Sequence, residues 1–395
     1  MGIYLHIPFC EKKCAYCDFL SAAVDKKSQT QYMGALLKEI KSYKGRVDEY
    51  EIGTIYIGGG TPSIVDPAYI KEVMTTIKDI FHLKNDMEIT IEANPGTLDR
   101  ERLESYRATG INRLSLGLQS TSDSELKSLG RTHSYKEFKD NYILAREIGF
   151  DNINIDLISS LPGQSPDSWD KTLRTVCQLE PEHISAYSLI IEEGTPFHDL
   201  YGDGKALSNE LPDEDTDRLI YKNTEKVLKE YGYNRYEISN YAKDGYESKH
   251  NISYWIGTDY LAFGIGAASL LKNTRFNNER NLEKYISLCN KNIEDKSEGL
   301  NYDIMADTFS IRRNINKLSK KEQMEEFMFL GLRLKKGISK KEFEKRFNIN
   351  IDNIYGNTLE KLFKDKLLMN NNKRIYLTDY GTDISNYVLA HFILD

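Results

Sequence analysis

The sequence has few cysteines and lacks long apolar runs, and both features narrow the class of protein. It holds 5 cysteines in 395 residues, and its N-terminus lacks the basic and then apolar segments of a secretory signal, which argues against disulfide bonding. It contains no run of about 18 apolar residues that could span a membrane. We therefore expect a cytoplasmic protein with no intrinsic membrane segment, in a reducing compartment.

The chain also lacks an excess of positive charge. It carries 53 Lys and Arg against 60 Asp and Glu, a net charge of -7, so we expect no general affinity for nucleic acid. Its hydrophobic content of 40% and charged content of 29% are those of an ordinary globular protein. The length exceeds the size at which one hydrophobic core stops growing, which predicts two or more domains.

Three of the cysteines lie close together directly after a short apolar strand. Cys10, Cys14 and Cys17 form a C-x3-C-x2-C pattern, and thiolates are the ligands of iron-sulfur clusters. Three cysteines on a 4Fe-4S cluster leave one iron open to a small molecule. The alternative is zinc with His6 as a fourth ligand, but His6 lies in a strand whose side chains alternate between faces, which makes its reach doubtful.

The other two cysteines, Cys177 and Cys289, fall on the apolar stripes of predicted helices, where core packing is their expected role.

Strand and helix patterns alternate along the first 231 residues. The predicted strands are the segment before Cys10 and then Thr54–Ile57, Glu88–Ala93, Asn112–Gln119, Asn152–Ile158 and His183–Ile191. Helical periodicity follows each of them, for example at residues 67–81 and 213–231. Six strands that are each followed by a helix predict an α/β fold with a parallel sheet curled into a barrel or a partial barrel.

Polar side chains and glycines follow the ends of the first five strands, where a barrel places its active site. The cysteine loop follows the first strand, Gly58–Gly60 the second, and Glu92, Gln119 and Asp156 lie late in the next three. Each alone is explained as a turn glycine or a solvated side chain. Five strands ending in this way are harder to dismiss.

These residue types suit an amino-acid-like ligand. Consecutive glycines bare the backbone, so that its amides and carbonyls can bond the charged ends of the ligand. Glu92 and Asp156 can accept hydrogen bonds from an ammonium or from ribose hydroxyls, and Arg131 offers a planar donor to a carboxylate.

Seven strings occur in order along nearly the whole chain: HIPFCEKKCAYCDF, GGGTPS, EANPGTL, GINRLSLGLQS, LGRTHS, DLISSLPGQ and YEISNYA. Together they resemble the oxygen-independent coproporphyrinogen III oxidase-like branch of the radical S-adenosylmethionine (SAM) superfamily. The resemblance implies a partial (β/α)6 TIM-like barrel, a 4Fe-4S cluster on the three clustered cysteines, SAM bound through its methionyl end at the open iron, and an electron donor such as flavodoxin or ferredoxin. It implies SAM contacts from Tyr4, Tyr16, Gly59, Gly60, Thr61, Glu92, Gln119, Arg131 and Asp156; for the two tyrosines, simple packing is an equal alternative.

Two features separate the members of this branch. The enzymes that oxidise coproporphyrinogen carry a fourth cysteine where this chain has Phe19, and they have a longer N-terminus. The string from His250 to Trp255, HNISYW, resembles the H-N-x-x-Y-W signature of HemW-type haem chaperones, which bind haem and pass it to acceptor proteins. The resemblance thus implies haem as a ligand, with His250 as the haem-binding residue.

Two alternatives stay open at this point. His250 could instead be a hydrogen-bonded histidine beneath the barrel mouth, with no ligand. The chain could also be an enzyme that decarboxylates the propionates of coproporphyrinogen III oxidatively. The following segment Gly264–Ser269 indicates close packing or backbone approach, with no assigned role.

The C-terminal part of the chain has a different pattern. We expect a barrel over residues 1–235, an extension with the H-N-x-x-Y-W motif over 236–300 and a third domain over 305–395, with a boundary in the polar stretch 290–302. Apolar residues in 326–334, a helix opened by Ser339 and a strand at Arg374–Leu377 predict a mainly helical, winged-helix-like domain. Its basic residues belong to an acidic chain, so we expect a lid or docking role rather than DNA binding.

Overall fold

The computed structural model describes residues 1–291, 304–305 and 307–394. A large sheet carries the N-terminal part, and a small sheet carries the C-terminal part. The strands are β1 Gly2–Ile7, β2 Glu51–Gly59, β3 His82–Ala93, β4 Arg113–Gln119, β5 Ile153–Ser159, β6 His183–Ser188, β7 Asn234–Arg235, β8 Asn240–Ala242, β9 Tyr260–Phe263, β10 Ala268–Leu271, β11 Thr274–Asn278, β12 Arg312–Lys317, β13 Ile338–Ser339, β14 Leu368–Asn370 and β15 Arg374–Leu377.

The helices cover the outer face of the large sheet and build most of the C-terminal part. They are α1 Lys26–Lys41, α2 Pro67–Ile80, α3 Arg100–Ala108, α4 Asp123–Ser128, α5 Tyr135–Glu147, α6 Pro166–Cys177, α7 Pro196–Tyr201, α8 Glu214–Glu230, α9 Lys249–Trp255, α10 Leu282–Asn290, α11 Lys320–Gly331, α12 Lys340–Phe347, α13 Ile351–Lys364, α14 Asp379–Asp383 and α15 Ser385–Ala390. Among the described helices, none combines the length and the apolarity needed to cross a membrane.

The six predicted strands form the parallel centre of the large sheet. Strands β1 to β6 pair in chain order, each parallel to the next, so the predicted partial α/β barrel is confirmed. Outward-facing residues of these strands are buried beneath the helices, as Ile55, Ile57, Ile89 and Ile91 are. Burial of that apolar face holds the helical layer on the sheet.

Side-chain caps set where the covering helices begin. Ser134 and Ser165 each form a reciprocal pair of bonds with the first turn of α5 and α6, which supplies partners to backbone N–H groups that have none inside the helix. Asp25, Asp66, Asp99 and Asp213 cap α1, α2, α3 and α8 by accepting a single backbone N–H each.

Some element bounds differ from the prediction. Strand β6 ends at Ser188 rather than at Ile191. The amide of Leu189 makes the last bond to β5, at the carbonyl of Ser159, and the pairing of β5 with β6 ends at Ser159 and Ser188. Strand β3 begins at His82, six residues earlier than expected, where it pairs with the start of β2.

The large sheet continues beyond the predicted strands at both edges. Strand β9 pairs parallel to β1, and β10, β11 and β12 follow it in antiparallel order. On the other edge, β8 pairs antiparallel to β6 and β7 lies outside it. These short strands were not predicted.

The segment that begins at Gly264 is a place of close backbone approach. Gly264 has φ +100°, and a Cβ on it would lie 2.8 Å from the carbonyl oxygen of His6, so a side chain does not fit there. Its amide donates to the buried carboxylate of Glu39 at 2.9 Å, which also accepts from Asn278 and Tyr285. This assigns a packing role to a segment whose role the sequence left open.

The C-terminal part has its own apolar core, formed by α11, α12, α13 and α15 with the sheet β13–β15–β14. It agrees with the predicted winged-helix-like, mainly helical fold. Two contacts join this C-terminal part to the N-terminal part. The guanidinium of Arg333 lies over the ring of Trp255 on α9 at 4.6 Å, and Glu326 on α11 pairs with Arg275 on β11 at 2.9 Å. The predicted boundary 290–302 lies outside the described residues from 292 onward.

Candidate functional site

A pocket of about 400 Å³ opens at the carboxyl ends of the parallel strands. Eleven of the predicted site residues line it: Cys10, Cys14, Tyr16, Cys17, Gly59, Gly60, Thr61, Glu92, Gln119, Arg131 and Asp156. The fold therefore brings residues from five strand ends to one cavity, as expected for this class of sheet. Tyr4 and His250 lie outside its lining.

The cysteine loop is tied down on both sides of the pocket. The amide of Cys10 donates to the carbonyl of Ala22 at 3.1 Å, and the amide of Ala15 donates to the carbonyl of Leu129 at 3.1 Å. Arg131 Nη1 lies 3.6 Å from Cys14 Sγ. Burial raises the pKa of the Cys17 thiol, so this group remains protonated near neutral pH until a metal displaces the proton.

The zinc alternative lacks its fourth ligand. His6 Nε2 is bonded to the carbonyl of Leu20 at 2.8 Å and Nδ1 to the hydroxyl of Tyr4 at 3.0 Å, so both ring nitrogens are engaged. Within the part of the chain that the structure describes, no three His, Cys, Asp or Glu side chains converge on a point that could hold one metal ion. Three thiols that surround a cavity suit a cluster, which gives each of them its own iron.

The glycines next to the cysteine loop leave room that a side chain would fill. A Cβ on Gly60 would lie 2.9 Å from Cys10 Sγ and 2.6 Å from the carbonyl oxygen of Phe9, and Gly59 has φ +122°. Both positions therefore require glycine. The resulting bare backbone and the three thiols fit the cluster and the amino-acid end of SAM that the sequence resemblance implies.

Arg131 holds a donor ready at the same wall. Its Nη2 donates to Asn94 Oδ1 at 2.8 Å and to the carbonyl of Gly117 at 2.5 Å, which fixes the guanidinium plane. Its Nε is buried and has no hydrogen-bond partner among the described residues. A buried donor without a partner is costly, and a ligand carboxylate would satisfy it.

Glu92 and Asp156 are two buried carboxylates at this site. Glu92 accepts from the hydroxyl of Tyr56 at 2.8 Å and from the amide of Gly59 at 3.0 Å. Burial raises its pKa to about 7, and the negative charge of Asp156 adds to the effect. Asp156 accepts from Ser115 and Asn154 at 2.9 Å each, and burial raises its pKa also. A ligand cation or hydroxyl would favour the charged forms.

Gln119 has a backbone conformation that is rare for a residue with a side chain. Its φ is +73°, and the pairing of β4 with β5 shifts register between Gly117 and Gln119. Left-handed residues and bulges concentrate at functional sites. Here the bulge turns the end of β4 so that Gln119 lines the pocket.

Tyr16 and Tyr4, for which packing was an alternative to a SAM contact, lie at different places relative to the pocket. The ring of Tyr16 lines the pocket and packs edge-on against Phe197 at 6.3 Å. Tyr4 lies below the pocket, where its ring stacks on Tyr56 at 6.2 Å. Burial raises the pKa of Tyr4, with Glu92 as the next cause. Tyr4 thus supports Tyr56. Tyr56 was not predicted as a site residue, although its position two residues after Thr54 on β2 places both side chains on the inner face of the barrel.

His250 lies inside the barrel, beneath the pocket. It is 1% exposed; Nδ1 is 2.8 Å from Thr54 Oγ1, and Nε2 is 2.9 Å from the hydroxyl of Tyr254. Its ring stacks on Tyr56 at 5.1 Å. Burial, followed by the charge of Arg113, lowers its pKa to about 3. This is the hydrogen-bonded arrangement that the sequence left as an alternative, and haem binding by His250 stays a prediction.

Comparison with known proteins gives two family matches and full-length relatives. The radical SAM superfamily model matches residues 4–176, and the HemN C-terminal domain model matches residues 318–384. The chain is 35% identical over 391 residues to the heme chaperone HemW of Bacillus subtilis, covering 99% of this chain and 98% of that protein. It is 36% identical to the heme chaperone HemW of Lactococcus lactis, covering 99% and 97%.

A solved structure has the same fold. The chain superimposes on coproporphyrinogen III oxidase (HemN) from Escherichia coli, a radical SAM enzyme, with a TM-score of 0.81 at 24% identity, covering 99% of this chain and 89% of that one. At that identity the similarity shows the fold alone. It covers both the barrel and the C-terminal part.

Proposed function

Since the chain belongs to the HemW family of the radical SAM superfamily, we propose that it is a haem chaperone, which binds haem and transfers it to acceptor proteins. The observation that supports this most directly is the 35% identity to a heme chaperone over nearly the full length of both proteins. The H-N-x-x-Y-W motif at His250 to Trp255 and the absence of a cysteine at Phe19 support the same assignment.

The superfamily implies a 4Fe-4S cluster and SAM, and we propose specific holders for each. Cys10, Cys14 and Cys17 would bind the cluster, which supplies a redox-active iron centre when it is bound. Arg131 would pair with the SAM carboxylate through its free Nε, and Glu92 would accept from the SAM ammonium. Gly59, Gly60 and Thr61 would bond the same end through backbone and hydroxyl groups.

The ribose of SAM would meet the far wall of the pocket. There the buried carboxylate of Asp156 accepts hydrogen bonds, and the amide of Gln119 can both donate and accept. Tyr16 would pack beside them, and Tyr4 would act from below by supporting Tyr56. An electron donor of the flavodoxin or ferredoxin type would reduce the cluster from the open side, where Lys12 and Lys13 line the pocket.

We also propose the three-part organisation expected from the sequence: residues 1–235 as barrel, 236–300 as extension and 305–395 as C-terminal domain. The two family matches, to residues 4–176 and 318–384, fall inside the first and the third part. The extension supplies α9 and strands β9 to β11, which join the barrel edge to the C-terminal domain.

A second candidate is oxidative decarboxylation of coproporphyrinogen III, which the shared architecture with HemN brings into view. Phe19 stands where that branch of enzymes carries a fourth cysteine, and it is 64% exposed at the pocket rim. A phenyl ring cannot supply the thiol, so the chaperone function is favoured.

One anaerobic experiment separates the two functions. The reconstituted protein is incubated with SAM and a reductant, and with either haem or coproporphyrinogen III. A chaperone forms a stoichiometric haem complex, passes haem to an apo-acceptor and leaves coproporphyrinogen unchanged. Formation of protoporphyrinogen that is lost in Cys14→Ala would instead establish the enzyme.

A further inference from the structure

A second pocket, of about 440 Å³, lies between the end of α9 and the C-terminal domain. Trp255 and Ile256 form one wall, and Phe327, Leu330 and Leu334 form the other. Its size is within the range of about 300–1,000 Å³ usual for small-molecule sites. It is separate from the cysteine-lined pocket, and none of the site residues discussed above lines it.

We propose that this interdomain pocket holds the haem macrocycle, gripped by its apolar faces and its propionates rather than by an iron ligand. The inference rests on the proposed haem-binding function and gives it a location. Haem is a flat aromatic ring with two carboxylates on one edge, so its site needs an apolar slot with cations at one end. The two requirements can be examined separately.

The apolar requirement is met by rings on both walls. Trp255 and Phe327 line the cavity from the two sides of the interface. The guanidinium of Arg333 covers one face of the indole at 4.6 Å, and the remaining aromatic surface would pack against a flat ligand. The indole N–H of Trp255 is buried with no hydrogen-bond partner among the described residues, which leaves it free for a ligand. Ile256 is 51% exposed, an apolar side chain that a bound macrocycle would cover.

The charge requirement is met at the α12 side. Four cations line the pocket, Lys336, Lys345, Arg346 and Arg374, against the two carboxylates of Glu326 and Glu342. Glu326 is already paired with Arg275 at 2.9 Å, and Arg374 donates to the carbonyls of Lys336 and Gly337. The side chains of Lys336, Lys345 and Arg346 therefore remain for two propionates. Lys345 and Arg346 lie side by side in the last turn of α12, so we place the propionates there.

The pocket offers no usual iron ligand. No His, Cys, Met or Tyr occurs among the described residues that line it. Haem held there would keep its iron coordination open, so an acceptor protein could offer its own ligand without first displacing one. That arrangement suits transfer, and it predicts that the metal-free macrocycle binds as well as haem does.

The test titrates the full-length protein with haem and with metal-free protoporphyrin IX, and follows the Soret band and porphyrin fluorescence. We expect dissociation constants within about threefold of each other. Lys345→Ala/Arg346→Ala should weaken both by about tenfold, the effect of losing two partly exposed ion pairs. The matched control Lys340→Ala/Lys341→Ala removes equal charge from the first turn of the same helix, outside this pocket, and should leave both unchanged.

The possible results are distinct. If haem binds but protoporphyrin IX does not, iron coordination holds the ligand and the proposal is overturned. If both bind and the Lys345 and Arg346 variant behaves like its control, the propionates are held elsewhere and the location is wrong. If the wild-type protein binds neither, the proposed chaperone function fails as well.

Discussion

Tyr56 and Glu92 share a hydrogen bond of 2.8 Å at the inner wall of the barrel. Tyr56 Oη donates to Glu92 Oε1, and the ring of Tyr56 stacks on the ring of His250. A residue of the candidate SAM site is thus joined through one tyrosine to the H-N-x-x-Y-W motif. The two motifs, which lie more than 150 residues apart in the sequence, belong to one packed unit.

Glu92 should make the stability of the ligand-free protein depend on pH. Its pKa is about 7 in the folded state against an ordinary value of 4.5, and burial is the main cause. The folded state therefore binds the proton more tightly than the unfolded state, so the free energy of unfolding falls as the pH rises from about 4.5 to about 7. Glu92→Gln should remove a slope of up to about 1.4 kcal/mol per pH unit in that window.

Urea unfolding at pH 5, 6, 7 and 8, without SAM, measures this slope. Glu39 and Asp156 also have raised pKa values because they are buried, so the variant should keep part of the dependence. His250 acts in the opposite direction, since its pKa is lowered. An unchanged slope in Glu92→Gln would show that Glu92 is ionised in the folded protein.

Only the three clustered cysteines should be needed for the cluster. Cys10→Ala, Cys14→Ala and Cys17→Ala each remove one ligand, and we expect loss of most of the roughly four irons and four sulfides bound per chain. Cys177→Ala and Cys289→Ala are matched controls because both thiols are buried in helices. Metal and acid-labile sulfide analysis of anaerobically purified protein gives the readout; zinc without sulfide in the wild-type protein would support a zinc site instead.

Arg131→Lys should weaken SAM binding more than cluster binding. Lysine keeps the charge but loses the planar donors that bond Asn94 and Gly117 and the free Nε. We expect an increase of about tenfold in the dissociation constant of SAM, with the iron content largely kept. Calorimetry on the reconstituted protein measures it, with Arg107→Lys on α3 as a control outside the pocket. If the two variants bind SAM with equal affinity, Arg131 does not contact SAM.

Much of the barrel could be predicted because each central strand and its helix have their own signals. Runs such as residues 54–57 and 88–93 alternate apolar and polar residues, and Asp or Ser caps mark the helices. The outer strands escaped prediction because they are short. Strand β9 has four residues and is followed by Gly264, so its pairing with β1 depends on tertiary contacts that periodicity does not contain.

The site was predicted through motifs, and its supporting residues were not. Asn94 and Ser115 lie in the same strings as predicted site residues, but nothing in the strings assigns them a role. In the structure Asn94 accepts from Arg131, and Ser115 donates to Asp156. The period of a strand does hold a usable signal: Glu88, Thr90 and Glu92 alternate with Ile89 and Ile91, which marks a polar barrel interior. The register between strands decides which polar residues meet across the barrel. A single sequence does not specify that register.

His250→Ala tests whether that histidine supports the fold or contacts haem. The ring is fully buried between Tyr56, Thr54 and Tyr254, so its removal leaves a cavity and two hydroxyls without partners. We expect the free energy of unfolding to fall by about 2–4 kcal/mol. His82→Ala, at an exposed position on β3, should change it by less than about 0.5 kcal/mol. Haem titration of the folded variant then separates the roles: a shifted Soret band at full occupancy would identify the imidazole as an iron ligand, whereas an unchanged band with lower stability would assign it to the packing of α9 against the barrel.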